Sequence, residues 1–173
     1  MAILLLFSSA EAKKRKTIKV LQFNIWQEGT VIPNGYEAIA DEIARTDADF
    51  VALSEVRNYK GTRFCDRIVE SLRKRGKTYY SFYSYDSGIL SRYPIVDSAT
   101  VFPENDDHGS IYKVVADMGS HKVAVYTAHL DYLNCALYLP RGYCGTTWNK
   151  LPKKVDNLDT VLFDNAASQR AAA

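Results

Sequence analysis

The chain of 173 residues is poor in cysteine, has no strong excess of either charge and contains no long apolar run. Its three cysteines are Cys65, Cys135 and Cys144, and none lies in a CxxC arrangement with a nearby histidine, which argues against a zinc site. A formal net charge of +2 is too small to argue for nucleic-acid binding by itself. No stretch approaches the roughly 20 apolar residues that span a bilayer, so no transmembrane segment is expected. No internal repeat and no interdomain linker is visible, so the length fits one domain.

What is present is the composition of an ordinary soluble globular protein, 47% hydrophobic and 24% charged. That is enough chain to bury a core. Twelve tyrosines stand out, many of them between Tyr79 and Tyr85. They read first as half-buried strand residues, with a substrate groove as the alternative.

The first residues carry the one targeting signal. Residues 2–7, Ala-Ile-Leu-Leu-Leu-Phe, form a short apolar core, and Ala10-Glu-Ala12 fits a small-x-small cleavage pattern. No basic residue precedes the apolar stretch, so the signal is incomplete as written. The expectation is a signal peptide over residues 1–12 and a secreted or periplasmic protein starting near Lys13. Residues 13–16, Lys-Lys-Arg-Lys, are then a solvated basic start. Export permits a disulfide, and Cys135 and Cys144 flank a loop suited to a local bridge; Cys65 reads as a buried thiol.

Hydrophobic spacing gives the order of elements. Ile18 to Asn24 reads as a fully buried strand, and Phe50 to Glu55 as a second. Tyr36, Ile39, Ala40 and Ile43 fall on one face of a helix over 36–45, with Asn34 as its N-cap. Ile68, Val69 and Leu72 mark a second helix from Phe64 to Arg75, stopped by Gly76. Strands are expected at 79–84, 87–91, 95–102, 111–117 and 122–128, with turn residues between them. Residues 131–152 are loop-like, and 153–172 read as a helix. The order βαβα followed by strands implies an α/β layer with a mixed sheet. The chain stops inside the last helical pattern, as if cut.

Three apolar runs end on residues able to do chemistry: Asn24, Glu55 and His129. A carboxylate after a buried strand is paired, metal-bound or at the rim, so Glu55 is either a ligand for a hard cation or the partner of Arg57. Asn24 can hold a metal-bound water or a phosphate oxygen, or cap a turn. His129 can protonate a leaving group or be a satisfied strand-end histidine. Asp131 shares its side of the strand if the strand continues. Between these lies Asp86-Ser-Gly-Ile-Leu-Ser-Arg-Tyr-Pro-Ile95, in which Arg92 is a candidate for a bidentate phosphate contact. His108 and His121 read as surface residues.

Gln22-Phe-Asn24, Ser54-Glu55-Val56, Gly88-Ile-Leu-Ser-Arg-Tyr-Pro-Ile95 and Thr127-Ala-His129-Leu130 occur in order and at suitable distances. Together they resemble the endonuclease/exonuclease/phosphatase superfamily, the DNase I-like proteins. The resemblance covers roughly residues 17–170. It implies a four-layer α/β sandwich of two packed sheets and hydrolysis of phosphodiester or phosphomonoester bonds with Mg²⁺, Mn²⁺ being the alternative cation. It implies that Glu55 binds the metal, that Asn24 supports metal and phosphate, and that His129 contacts the phosphate and assists the leaving group. Asp131 falls outside the shared pattern and its role stays open.

The second half of that pattern, an Asp-x-Asn motif and a final Asp-His pair, does not follow His129; Asp164-Asn165 is no substitute. The expectation is therefore that residues 13–173 are the first half of the domain: one mixed sheet with outer helices, an inner face of residues such as Val20, Val51, Leu53 and Val125 without its partner sheet, and little turnover alone. A complementary C-terminal half is an expected partner. Alternatives are a non-catalytic interaction module and a nucleic-acid binder. Nucleic acid, a phospholipid headgroup and a sugar phosphate all remain open as substrates. Tyr138 and Trp148, in the loop from Leu133, are candidates for a substrate wall.

Overall fold

A computed structural model describes residues 17–102, 109–130, 141–143, 147 and 149–153. The elements in chain order are β1 (Val20–Asn24), α1 (Gly35–Thr46), β2 (Phe50–Val56), α2 (Phe64–Lys74), β3 (Asp86–Ser91), β4 (Ile95–Phe102), β5 (Gly109–Asp117) and β6 (Lys122–Leu130). Short 3-10 turns at Gln27–Gly29 and Tyr59–Gly61 follow β1 and β2.

The α/β class is as expected, but the strands divide between two three-stranded sheets rather than forming one. The first has the order β1-β2-β3, with β1 and β2 parallel and β3 antiparallel to β2. The second, β4-β5-β6, is antiparallel throughout.

Strand alternation explains how the layers pack. One face of β2 points Val51 and Leu53 at the helices, where they join Ile39, Ala40 and Ile43 of α1 and Phe64, Ile68 and Leu72 of α2. All eight are buried, and each large side chain contributes about 1.5–3 kcal/mol of burial. Val51 and Leu53 thus line the helix side and do not await a partner sheet. The other face of β2 carries Phe50, which packs with Ala116, Val123 and Val125 of the second sheet and with Met118 just after β5.

β1 is not fully buried. Leu21 and Phe23 pack against the helix-side core, while Val20, on the other face, is 57% exposed because the second sheet packs over β2 and β3. The expected strand at 79–84 is also absent. Tyr80 makes a single bridge to Ser91, and Tyr79 is buried with its hydroxyl donating to the Ala48 carbonyl at 2.7 Å. Burial pushes the Tyr79 phenol up to about 12.

The helix ends follow the sequence in one case and not in the other. Gly76 takes φ 74°, and the N–H groups of Gly76 and Lys77 donate to Arg73 and Leu72 in the Schellman pattern. Asn34 precedes α1, but its side chain makes no capping bond; it supplies a left-handed φ of 59° instead. Cys65 is buried beside Ser84, and desolvation pushes its thiol up to about 12. Residues 1–16, Cys135, Cys144 and the expected helix from Lys154 onward lie outside the described residues.

Candidate active site

The C-terminal ends of β1 and β2 are adjacent because the strands are parallel and Asn24 pairs with Ser54. One residue on, the register of β2 against β3 slips between Ser54 and Val56, and Glu55 is the bulged residue. Its backbone is left-handed, φ 68°, a conformation that non-glycine residues adopt at a cost and that recurs at functional sites. The bulge turns Glu55 out of the core to a half-buried rim position.

Two donors then fix the carboxylate. Asn24 Nδ2 donates to Glu55 Oε1 and the Gln27 backbone N–H donates to Oε2, each at 2.9 Å. Asn24 is itself held, since its Oδ1 accepts the Trp26 N–H at 2.9 Å. The turn that supplies these N–H groups has three successive non-glycine residues with positive φ: Trp26, Gln27 and Glu28. Glu28 anchors it from below. Only 2% exposed, it accepts the N–H groups of Arg57 and Asn58 on Oε1 and Arg67 Nη2 on Oε2.

His129 reaches the same end of the sheets from β6, where it pairs with Ser110 of β5. Its Nδ1 lies 2.7 Å from Asp86 Oδ1. Asp86 is 1% exposed and fully occupied: Arg57 Nη1 donates to Oδ1 at 3.1 Å and Ser110 Oγ donates to Oδ2 at 2.8 Å. Ser87 and Ser110 lie 2.7 Å apart, and since Ser110 gives its proton to Asp86, Ser87 donates to Ser110. The Asp86 hydrogen bond raises the His129 pKa above its ordinary value, with the charges of Asp86 and Glu55 adding to it and burial and Arg57 opposing.

The structure thus brings Asn24, Glu55 and His129 to one end of the packed sheets. Arg57 is not the partner of Glu55; it serves Asp86. Arg92 does not join the site. Ser91 pairs with Phe50 at the opposite end of β2, about 16 Å of strand from Glu55, and Arg92 faces Asp47 at 3.3 Å. A contact from Arg92 to a phosphate held at Glu55 is excluded by that placement. Asp131, Tyr138 and Trp148 lie outside the described residues, and His121 is exposed as expected. Asp86 and Glu28 were not legible as site residues: one stood in a turn signal, the other in a loop, and their partners are far along the chain.

Glu55 and the Asn24 amide are hard oxygen donors, the type that Mg²⁺ accepts, and one carboxylate with retained waters is a usual Mg²⁺ complement. Among the described residues no group of three or more His, Cys, Asp or Glu side chains forms a cage. The donors among the described residues therefore fit a hydrated Mg²⁺.

Residues 21–170 match the sequence model of the Endonuclease/Exonuclease/phosphatase family, and the chain belongs to that family. Among solved structures it is similar to an endonuclease/exonuclease/phosphatase family protein from Leptotrichia buccalis C-1013-b, with TM-score 0.50, 16% identity, and 69% of this chain aligned to 57% of that one. It is also similar to ANGEL2, a 2',3'-cyclic phosphatase solved with adenosine-2',3'-vanadate, with TM-score 0.50, 17% identity, and coverage of 72% and 47%. These likenesses establish the DNase I-like fold. The chain spans about half the length of these structures. No curated protein sequence matches it.

Proposed function

We propose that this chain carries the metal- and phosphate-holding side of a phosphoester hydrolase. Membership of the family supports phosphoester hydrolysis in general terms. The observation that carries the finer reading is the joint placement of the Asn24–Glu55 pair and the Asp86–His129 pair at one end of two packed sheets.

In this reading Glu55 and Asn24 hold Mg²⁺. When bound, the cation polarises the phosphoryl group and offsets charge on the leaving oxygen. The protein's own groups do the rest. Asn24 and the Gln27 N–H lock the carboxylate in one orientation, so little reorganisation accompanies loading. Asp86 accepts from His129 Nδ1, which fixes the ring and leaves Nε2 as the nitrogen through which a proton passes to the leaving oxygen. The raised pKa keeps His129 protonated to higher pH, as a general acid requires. The groups that activate water belong to a complementary part of the domain, and substrates range over nucleic acid, phospholipid headgroups and sugar phosphates.

The test is Mn²⁺ binding to the 173-residue chain, followed by paramagnetic broadening of backbone amides. Broadening centred on Asn24, Gln27 and Glu55, lost in Glu55→Gln, supports the reading. Broadening elsewhere, or unchanged in the variant, contradicts it.

A further inference from the structure

The two sheets meet through apolar side chains, with Phe50 of β2 packed on Ala116, Val123 and Val125. Near the site that interface carries two hydroxyls instead. Ser87 of β3 and Ser110 of β5 are both 0% exposed. Ser110 shares its side of β5 with Tyr112, Val114 and Ala116, all buried, so alanine would suit its position if packing were the whole requirement. A hydroxyl there demands a partner, because a buried polar group without one is destabilising.

The partner is Asp86. Ser110 and His129 face each other across β5 and β6, and Asp86 reaches over from β3 to lie between them. Ser110 Oγ donates to Asp86 Oδ2 at 2.8 Å, and His129 Nδ1 lies 2.7 Å from Oδ1. Ser87 stands behind, 2.7 Å from Ser110. A chain Ser87–Ser110–Asp86–His129 thus crosses from one sheet to the other inside the core.

That chain has two consequences. The first is geometric. With both oxygens held, the carboxylate cannot turn about its Cβ–Cγ bond, a torsion that is otherwise soft, and Oδ1 stays on His129. The second is electrostatic. The charged groups acting on His129 are Asp86 of β3, Glu55 of β2 and Arg57 just after β2. Ser110 touches the first of these, and a donor on one carboxylate oxygen weakens the pull of the other, the more so in the low dielectric between two sheets. A general acid must release its proton as well as hold it, so a pair without this restraint would hold the proton too tightly.

We propose that Ser110, backed by Ser87, is a positioning residue for His129: acting through Asp86, it fixes the carboxylate and shares its charge, so that His129 holds its proton less tightly than Asp86 alone would make it. The consequence for turnover rests on the hydrolase reading above; the coupling of Ser110 to His129 does not.

The test is NMR titration of the His129 imidazole in the metal-free 173-residue chain, in wild type, Ser110→Ala, Ser87→Ala and Ser110→Thr. In Ser110→Ala, Arg57 and His129 still hold Oδ1, so the pair survives and the relieved carboxylate pulls harder. The His129 pKa is expected to rise in Ser110→Ala. It is expected to rise less in Ser87→Ala, which weakens the Ser110 donor from behind, and to stay at the wild-type value in Ser110→Thr, which keeps the hydroxyl. A merely structural hydroxyl predicts the opposite sign, because loosening would part Asp86 from His129 and lower the pKa. An unchanged or lowered pKa in Ser110→Ala overturns the proposal, as does a rise in Ser110→Thr equal to that in Ser110→Ala. Should Ser110→Ala fail to fold, Ser87→Ala decides by the same sign. A graded rise with no Mn²⁺ site at Glu55 would sink the hydrolase reading and leave the coupling standing. A Mn²⁺ site at Glu55 with a His129 pKa unmoved by Ser110→Ala would do the reverse.

Discussion

Glu55 and Asp86 flank the same irregularity of one strand pair, and both have left-handed backbones, φ 68° and 63°. Neither is glycine, and the conformation costs roughly 1–2 kcal/mol at each. Both carboxylates point to the same end of the sheets, one toward Asn24 and one toward His129. The strain at the β2–β3 bulge is the means by which Glu55 leaves the buried sheet for the rim, while Asp86 stays buried against His129.

That strain is measurable by comparing two variants that lack the carboxylate equally. Glu55→Gly is expected to be more stable than Glu55→Ala by about 1 kcal/mol, because glycine adopts positive φ freely. Urea denaturation of the two checks this. Equal stability, or a more stable Glu55→Ala, contradicts a strained bulge.

The His129 pair makes a pH prediction. The folded pKa is raised by Asp86, so the pair's contribution to stability is fully present below the ordinary pKa of 6.5 and is lost as pH rises through the folded value. Asp86→Asn removes the acceptor charge, and the His129 pKa is expected to fall. Proton NMR titration of the imidazole reads this directly. The wild-type advantage over Asp86→Asn in urea midpoint should shrink from pH 5 to pH 9.

Glu28 holds the turn under the site. Glu28→Ala orphans two backbone N–H groups and Arg67, and a loss of roughly 3 kcal/mol is expected, discounted for the partial exposure of Arg67. Thermal and urea unfolding check the magnitude. A change below about 0.5 kcal/mol would mean that the turn does not depend on this anchor.

Gly88 tests the packing behind the site. A Cβ there would lie 2.8 Å from Cys65 Sγ, 3.2 Å from Ser84 Oγ and 3.3 Å from Val56 Cγ2. Gly88→Ala is expected to cost about 1–3 kcal/mol by overpacking. Removing the nearest atom with Cys65→Ala should restore part of that loss in the double variant, a non-additivity seen in a double-mutant cycle.

The sequence made the periodic elements legible and left the long-range ones hidden. Apolar spacing located α1 and α2 within a residue or two, and four of the later strands closely, because burial on one face fixes the pattern locally. The tyrosine-rich run at 79–84 misled, since Tyr79 is buried by tertiary packing rather than by strand pairing. The exposure of Val20 depended on which strands the second sheet covers, which periodicity cannot reveal. Asn24, Glu55 and His129 were visible as polar ends of apolar runs. Asp86 was not, because its partner is 43 positions away along the chain.

The most direct measurement of the central claim is Mn²⁺ titration of the 173-residue chain with amide broadening, in wild type and Glu55→Gln. The predicted result is saturable broadening at Asn24, Gln27, Glu55 and His129, with affinity reduced by at least about 10–100-fold in the variant. Broadening that is absent, or that survives Glu55→Gln unchanged, would contradict the account.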